Sequence, residues 1–350
     1  MPRFKPVDKR RLFPELAAIL GTKLKPPFGV VLGSPGEVAE LVGVLPSSDV
    51  TCFQMDLFQA DRLRVELKES GNFAEVVTAP DLWDLPARVQ TLIYPVPLGG
   101  ERGLKLDMIE QGYHALQPGG TFAVLSPYEK EEFFPQALKK VFGKVHRPMA
   151  GKNAVLWCQR DGDRERRRHE MTFHVRAGED LSLRFVSRPG TFSYGKFDDG
   201  ARALVEAMEV KAGERVLDLG CGCGTNGIMA SLKSGPGGFT TFVDSNLRAL
   251  ALTAMNAKNL AAGAFETIAS CTLNEISPRS YDVVLANPPY YAQLAIARLF
   301  IERGKRCLKP GGRFYLVTRQ VDHVFEIMEE FFGPVQGEER RGYVVFPGTV

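Results

Sequence analysis

The sequence has no long apolar run. Nothing in its 350 residues approaches the ~18 consecutive apolar residues of a membrane-spanning helix, so no membrane partner is expected. Its opening, MPRFKPVDKRRLF, has no apolar core of a secretory signal, and the cytoplasm is the expected compartment. Cysteine is scarce: six in 350 residues make no disulfide framework. Cys221 and Cys223 form a C-x-C pair, but no second Cys or His pair lies nearby to complete a zinc site, and no metal is expected. Nor is there a large excess of either charge. A net charge of +3 gives no whole-protein argument for nucleic acid. The charge is nevertheless uneven. Residues 1–27 carry Arg3, Lys5, Lys9, Arg10, Arg11, Lys23 and Lys25 against Asp8 and Glu15, and Arg164, Arg166, Arg167 and Arg168 form a second cluster. Both suit phosphate contacts; a solvated tail and linker would look the same.

With 44% hydrophobic and 24% charged residues, the chain reads as an ordinary globular protein of a length that favours two domains. It says much the same thing twice. GYHALQPGGTFAVL (Gly112–Leu125) and GKRCLKPGGRFYLV (Gly304–Val317) share Gly, Leu, Pro-Gly-Gly and Phe in register. KKVFGKV (Lys139–Val145) faces EEFFGPV (Glu329–Val335), and NAVLW (Asn153–Trp157) faces YVVFP (Tyr343–Pro347). Upstream, VVLGSPGEVAELVG (Val30–Gly43) stands where VLDLGCGCGTNGIMA (Val216–Ala230) stands later, and TLIYPVP (Thr91–Pro97) stands opposite VVLANPP (Val283–Pro289). Apolar strand runs alternate with helical patterns in each half, which implies βαβ units. The expected architecture is α/β, two tandem Rossmann-like doubly wound sheets, with a boundary near Gln159–Glu170 and a hairpin over Met171–Val186 turning at Ala177–Asp180. The expected division is a first domain over 1–160, a basic linker and hairpin over 161–186 and a second domain over 187–350. Polar chemistry is concentrated in the second copy, so the first is expected to be degenerate, a scaffold or docking domain.

In the second copy Gly222-Cys223-Gly224-Thr225-Asn226-Gly227 fits G-x-G-x-x-G, and Asp244 ends the next strand. That alone allows a dinucleotide site. Asp218, two residues before Gly220, argues otherwise, because a carboxylate at the strand end repels a pyrophosphate. It suits a cationic ammonium such as that of S-adenosyl-L-methionine, which has no phosphate. Asn287-Pro288-Pro289-Tyr290 follows the fourth strand. An exocyclic amino group on a base is a poor nucleophile that needs acceptors for both N–H bonds; the Asn287 side-chain oxygen and the Pro288 carbonyl offer them. The proline ring fixes φ and so holds that carbonyl in place. Tyr290 offers a π-face for a planar base.

The D-x-G-x-G-x-G run from Asp218 to Gly224, together with Asp244 and Asn287–Tyr290, resembles the motifs of class I methyltransferases. The tandem architecture narrows the resemblance to the two-domain ribosomal RNA guanine-N2 methyltransferases of the small subunit methyltransferase C and large subunit methyltransferase G type, over nearly the whole chain. Pro189–Met208 resembles that family's entry element, with Phe192, Ser193, Asp198 and Gly200 matching. The resemblance implies a degenerate first domain and a catalytic second one using S-adenosyl-L-methionine on a base of ribosomal RNA or a ribosomal subunit, in a monomer. It implies that Asn287, Pro288, Pro289 and Tyr290 are catalytic. It places Asp218, Gly220, Cys221, Gly222, Gly224, Asp244, Ser245, Ser270, Cys271 and Asn287 at the cofactor, and Phe192, Lys196, Asp198 and Gly200 in a lid. The chain departs from the family where Tyr290-Tyr291 replaces Phe-His and where Cys271 replaces Asn. A tyrosine at the fourth position also suits adenine-N6 and protein glutamine methyltransferases. A non-catalytic RNA-binding assembly factor is the alternative outside enzymes.

Overall fold

The structure, a computed structural model, describes residues 8–128, 132–147, 154–177, 181–289 and 294–350. The chain divides at His169/Glu170 into two compact units. The arginine cluster therefore lies with the first unit, and the hairpin with the second.

The first unit carries strands β1 (Phe28–Val31), β2 (Val50–Gln54), β3 (Glu75–Thr78), β4 (Val89–Pro95), β5 (Leu116–Leu125) and β6 (Val155–Gln159) in the order β3-β2-β1-β4-β5-β6. All pairs are parallel except β5 with β6. Its helices are α1 (Leu16–Leu20), α2 (Pro35–Gly43), α3 (Leu57–Ser70), α4 (Arg102–Ala115) and α5 (Phe133–Phe142). The second unit opens with the antiparallel hairpin β7 (Met171–Ala177) and β8 (Leu181–Ser187); residues 178–180 of its expected turn lie outside the described residues. Its main sheet is built from β9 (Arg215–Leu219), β10 (Phe239–Asp244), β11 (Ala264–Ala269), β12 (Tyr281–Ala286), β13 (Leu308–Thr318), β14 (Glu338–Arg340) and β15 (Tyr343–Thr349), in the order β11-β10-β9-β12-β13-β15-β14. Helices α6 (Asp199–Ala207), α7 (Thr225–Ser234), α8 (Leu247–Leu260), α9 (Ala295–Cys307) and α10 (Val321–Phe332) connect them. The central strands are apolar on both faces, as sheets covered by helices on each side require.

The repeat in the sequence has a packing cause. A Cβ on Gly112 of α4 would lie 2.7 Å from the Phe122 ring, and one on Gly304 of α9 would lie 2.5 Å from the Phe314 ring. Each glycine lets its helix settle onto the phenylalanine of the adjacent strand. The Pro-Gly-Gly runs enter β5 and β13 with Gly119 at φ +73° and Gly311 at φ +76°. Both strands carry the same register irregularity against their neighbours, between Val89 and Thr91 and between Tyr281 and Val283.

Candidate active site

The second unit's strand order reverses direction between β9 and β12: β10 and β11 build outward on one side, β12 and β13 on the other. Such a switch point leaves a crevice beyond the carboxyl ends of the strands. Asp218, Asp244 and Asn287 lie at or next to the ends of three neighbouring strands, β9, β10 and β12.

Asp218 is 1% exposed and accepts a hydrogen bond from the Gly227 N–H at 2.8 Å. A Cβ on Gly227 would lie 2.9 Å from that carboxylate oxygen and 2.4 Å from Phe242, so only glycine admits the contact. Burial pushes the Asp218 carboxyl up to about 7; the Gly227 N–H offsets this in part, and the nearby Asp244 charge adds to it. A buried acid in this condition gains most from a cation beside it. Asp244 accepts from the backbone N–H groups of Gly222 (2.9 Å) and Asn246 (2.9 Å), which aims the carboxylate across the glycine loop. The loop turns through Gly220 (φ +68°), Gly222 (φ +59°) and Gly224 (φ +88°), a conformation that side chains resist. Gly222 borders open space, with nothing within 4 Å of where a Cβ would be, whereas Gly220 is backed by Phe300 at 3.1 Å. A ligand can thus approach the loop backbone. Gly224 is the N-cap of α7.

Cys221 is buried and its sulfur lies 3.5 Å from Thr253 Oγ1, which donates to the Gly222 carbonyl at 2.9 Å. Burial raises the Cys223 thiol to about 12 and Cys221 well above its ordinary value, so both are neutral packing groups. Ser270 is buried; its N–H donates to the Asp244 carbonyl, and its Oγ donates to Glu275 at 2.6 Å, holding that carboxyl below its ordinary range. Ser245 and Cys271 flank the same strand ends and are half-buried.

Beyond β12, Pro288 is buried and Asn287 and Pro289 are half-buried. The Asn287 amide nitrogen donates to Asp198 Oδ2 at 3.4 Å. Asp198 also caps α6 by accepting from the Ala201 N–H at 3.0 Å. The structure therefore brings the entry element and the Asn-Pro-Pro segment together, and Gly200 is buried in the first turn of α6. Phe192 is 45% exposed, Lys196 is exposed, and Ser193 between them has φ +56°. Tyr290 and Tyr291 lie outside the described residues.

Three residues that motif reading passed over hold this site. Asn246 caps α8 and donates to the Gly190 carbonyl at 2.9 Å. Arg248, fully buried, donates to the Pro189 carbonyl at 2.7 Å. Asn256 bridges β8 to the glycine loop, exchanging bonds with Val186 and donating to the Cys223 carbonyl at 2.9 Å. For Arg248 and Asn256 the available signal was polar residues on the otherwise apolar periodicity of LRALALTAMNAKN.

Some of the basic groups of the first unit have partners, while Lys25 is exposed. Lys9 and Arg10 pair with Glu37 and Glu40 of α2, and Arg11 lies near Asp8. Arg3 and Lys5 are outside the described residues. Arg164 donates to the carbonyls of Lys140 and Val141 at the end of α5, and Arg166 lies over the Trp83 ring. Arg167 and Arg168 are exposed.

Residues 182–347 match the family model of the methyltransferase small domain. The chain is 34% identical over 175 residues to the ribosomal RNA small subunit methyltransferase C of Chromohalobacter salexigens, covering 47% of this chain and 50% of that one. It is 29% identical over 249 residues to the ribosomal RNA large subunit methyltransferase G of Streptomyces avermitilis, covering 66% and 63% respectively. The chain thus spans about half to two thirds of the length of these curated relatives. In fold it is similar to a T. thermophilus 16S rRNA N2 methyltransferase solved in complex with AdoMet and guanosine, at TM-score 0.73 and 21% identity, over 95% of this chain and 91% of that one.

Proposed function

We propose that the second unit is an S-adenosyl-L-methionine-dependent methyltransferase acting on the exocyclic amino group of a base in ribosomal RNA, with guanine-N2 as the target. The observation that carries this reading is the buried Asp218, raised to about 7 beside a glycine loop open to solvent at Gly222. A phosphate ligand would meet a carboxylate there; a methionine ammonium meets its partner. The names of the relatives in both subunit classes support the substrate class.

The residues present fit the cofactor. Asp218 would face the ammonium, Asp244 the ribose hydroxyls, and Ser245, Ser270 and Cys271 the adenine side, with Gly220, Cys221, Gly222 and Gly224 supplying a backbone wall. When bound, the cofactor supplies an electrophilic sulfonium methyl. The chain's own residues do the rest. Asn287 and the Pro288 carbonyl accept the two N–H bonds of the target amino group and fix its plane. This is positioning with electrostatic support and uses no strong base. Asp198 holds the Asn287 amide in orientation, and the exposed Phe192 and Lys196 are assigned to a lid over a base that has left its stack. Tyr290 is assigned the stacking face. Arg167 and Arg168 are exposed cations that suit RNA phosphates, and a monomer suffices for the site.

Transfer of labelled methyl to ribosomal RNA, followed by nucleoside analysis, tests the reading. N2-methylguanosine is expected. N6-methyladenosine, or methyl appearing only on a glutamine of a protein substrate, would reassign the target; no transfer to any of them would point to a binding factor without catalysis. Reversing charge at Arg167 and Arg168 should weaken RNA binding and reduce its salt dependence.

A further inference from the structure

Lys9 is 4% exposed, and its ammonium lies where the first unit's strands end. It donates to the carbonyls of Val96 (2.6 Å) and Pro95 (3.4 Å) and pairs with Glu37 at 3.1 Å. The sheet registers show what those carbonyls are. Thr91 pairs with Phe28 and with Thr121, just as Val283 pairs with Val216 and with Arg313. Counting along β4 and β12 from these positions, Pro95 stands at the place of Asn287 and Val96 at the place of Pro288. Glu37 is the third residue of α2, as Gly227 is of α7. The chain has thus set an amine against the backbone carbonyl that corresponds to Pro288 and added a carboxylate that the second unit lacks.

We propose that the first unit carries a primary-ammonium-binding site at the end of β4, and that Lys9 is its built-in ligand. Two carbonyls and one carboxylate are three acceptors, matching the three N–H bonds of an alkylammonium ion. Leu12, Phe13 and Leu16 pack the surrounding segment into the core, so the lysine is delivered by a fixed element. The site is closed from within by Lys9 itself. This inference does not depend on the chemistry assigned to the second unit.

The test uses the full chain. Lys9→Ala leaves Glu37 without its cation and should lower the unfolding midpoint by about 5–15 °C. Millimolar propylammonium chloride should restore part of that loss, while tetramethylammonium chloride, which has no N–H, should act no differently from sodium chloride. A Lys9→Ala chain as stable as wild type, or one helped equally by both ions, would overturn the proposal. Should Lys9→Ala fail to fold, reductive methylation of the native wild-type chain decides. Lys9 should react far more slowly than the exposed Lys25, as read by peptide mass spectrometry, and equal rates would overturn the proposal.

Discussion

The two units share one framework and differ at the ends of its strands. At corresponding places the first unit has Val30 for Asp218, Leu32 for Gly220, Gln54 for Asp244, Ala79 for Ser270 and Pro95 for Asn287. The backbone remembers what the side chains have lost. Leu32 keeps a positive φ of +52°, unfavourable for leucine, where Gly220 has +68°. The Leu32 N–H still donates to the Phe53 carbonyl as Gly220 does to Val243, and Ala79 still donates to Gln54 as Ser270 does to Asp244. Asp56 caps α3 as Asn246 caps α8. Folding therefore depends on what the copies hold in common. The proposed activity would depend on the few groups that only the second has.

The differences should break first. Asn287→Ala removes one of the two acceptors proposed for the amino group, and methyl transfer should fall about 100- to 1,000-fold, by analogy with losing one fixed hydrogen-bond partner at a reacting centre. Cofactor affinity should change little, as equilibrium binding alongside single-turnover assays would show. The counterpart change, Pro95→Ala, should leave transfer intact.

Asp218→Asn should weaken cofactor binding about 10- to 100-fold, the range for a hydrogen bond to a charged group. It should also remove a pH dependence. In the wild type the acid binds an ammonium best when ionised, so affinity should rise as pH passes upward through about 7. The folded carboxyl holds its proton longer than the unfolded one, so this group's contribution to stability should fall as pH rises from about 4 to about 7 and then level off. The difference between wild type and Asp218→Asn, in titrations and in melts across that range, should show both trends.

The similarities should break symmetrically. Gly112→Ala and Gly304→Ala each drive a methyl into a phenylalanine ring, and each should cost about 1–3 kcal/mol of stability by urea unfolding. A large effect in one unit only would mean that the shared packing is not what preserved these glycines. Smallest, Asp56→Ala and Asn246→Ala should each cost about 1 kcal/mol as lost helix caps. Asn246→Ala should in addition raise the cofactor dissociation constant, because Asn246 also holds Gly190 at the entry element.

The fold was legible because its signals are local and doubled. Pro-Gly-Gly before a strand, a glycine ten residues ahead of a phenylalanine, and alternating strand and helix patterns each recur, and the structure pairs them in equivalent registers. Asp218, Asp244 and the Asn-Pro-Pro segment were legible because strand ends display them and the glycine loop marks the place. The supports were not. Arg248 and Asn256 look like stray polar residues on an apolar helix until their partners, Pro189 and Val186, arrive from some sixty to seventy residues away. Lys9 reads as one more cation in a basic tail, because nothing local tells that Glu37 and the end of β4 surround it.

The central claim is that the cofactor chemistry survives in the second unit alone. Calorimetric titration of the full chain with S-adenosyl-L-methionine, for wild type and for Asp218→Asn, tests it most directly. One site per chain, strongly weakened by the substitution, is the expected result. Two sites, no site, or a single site indifferent to Asp218 would contradict it.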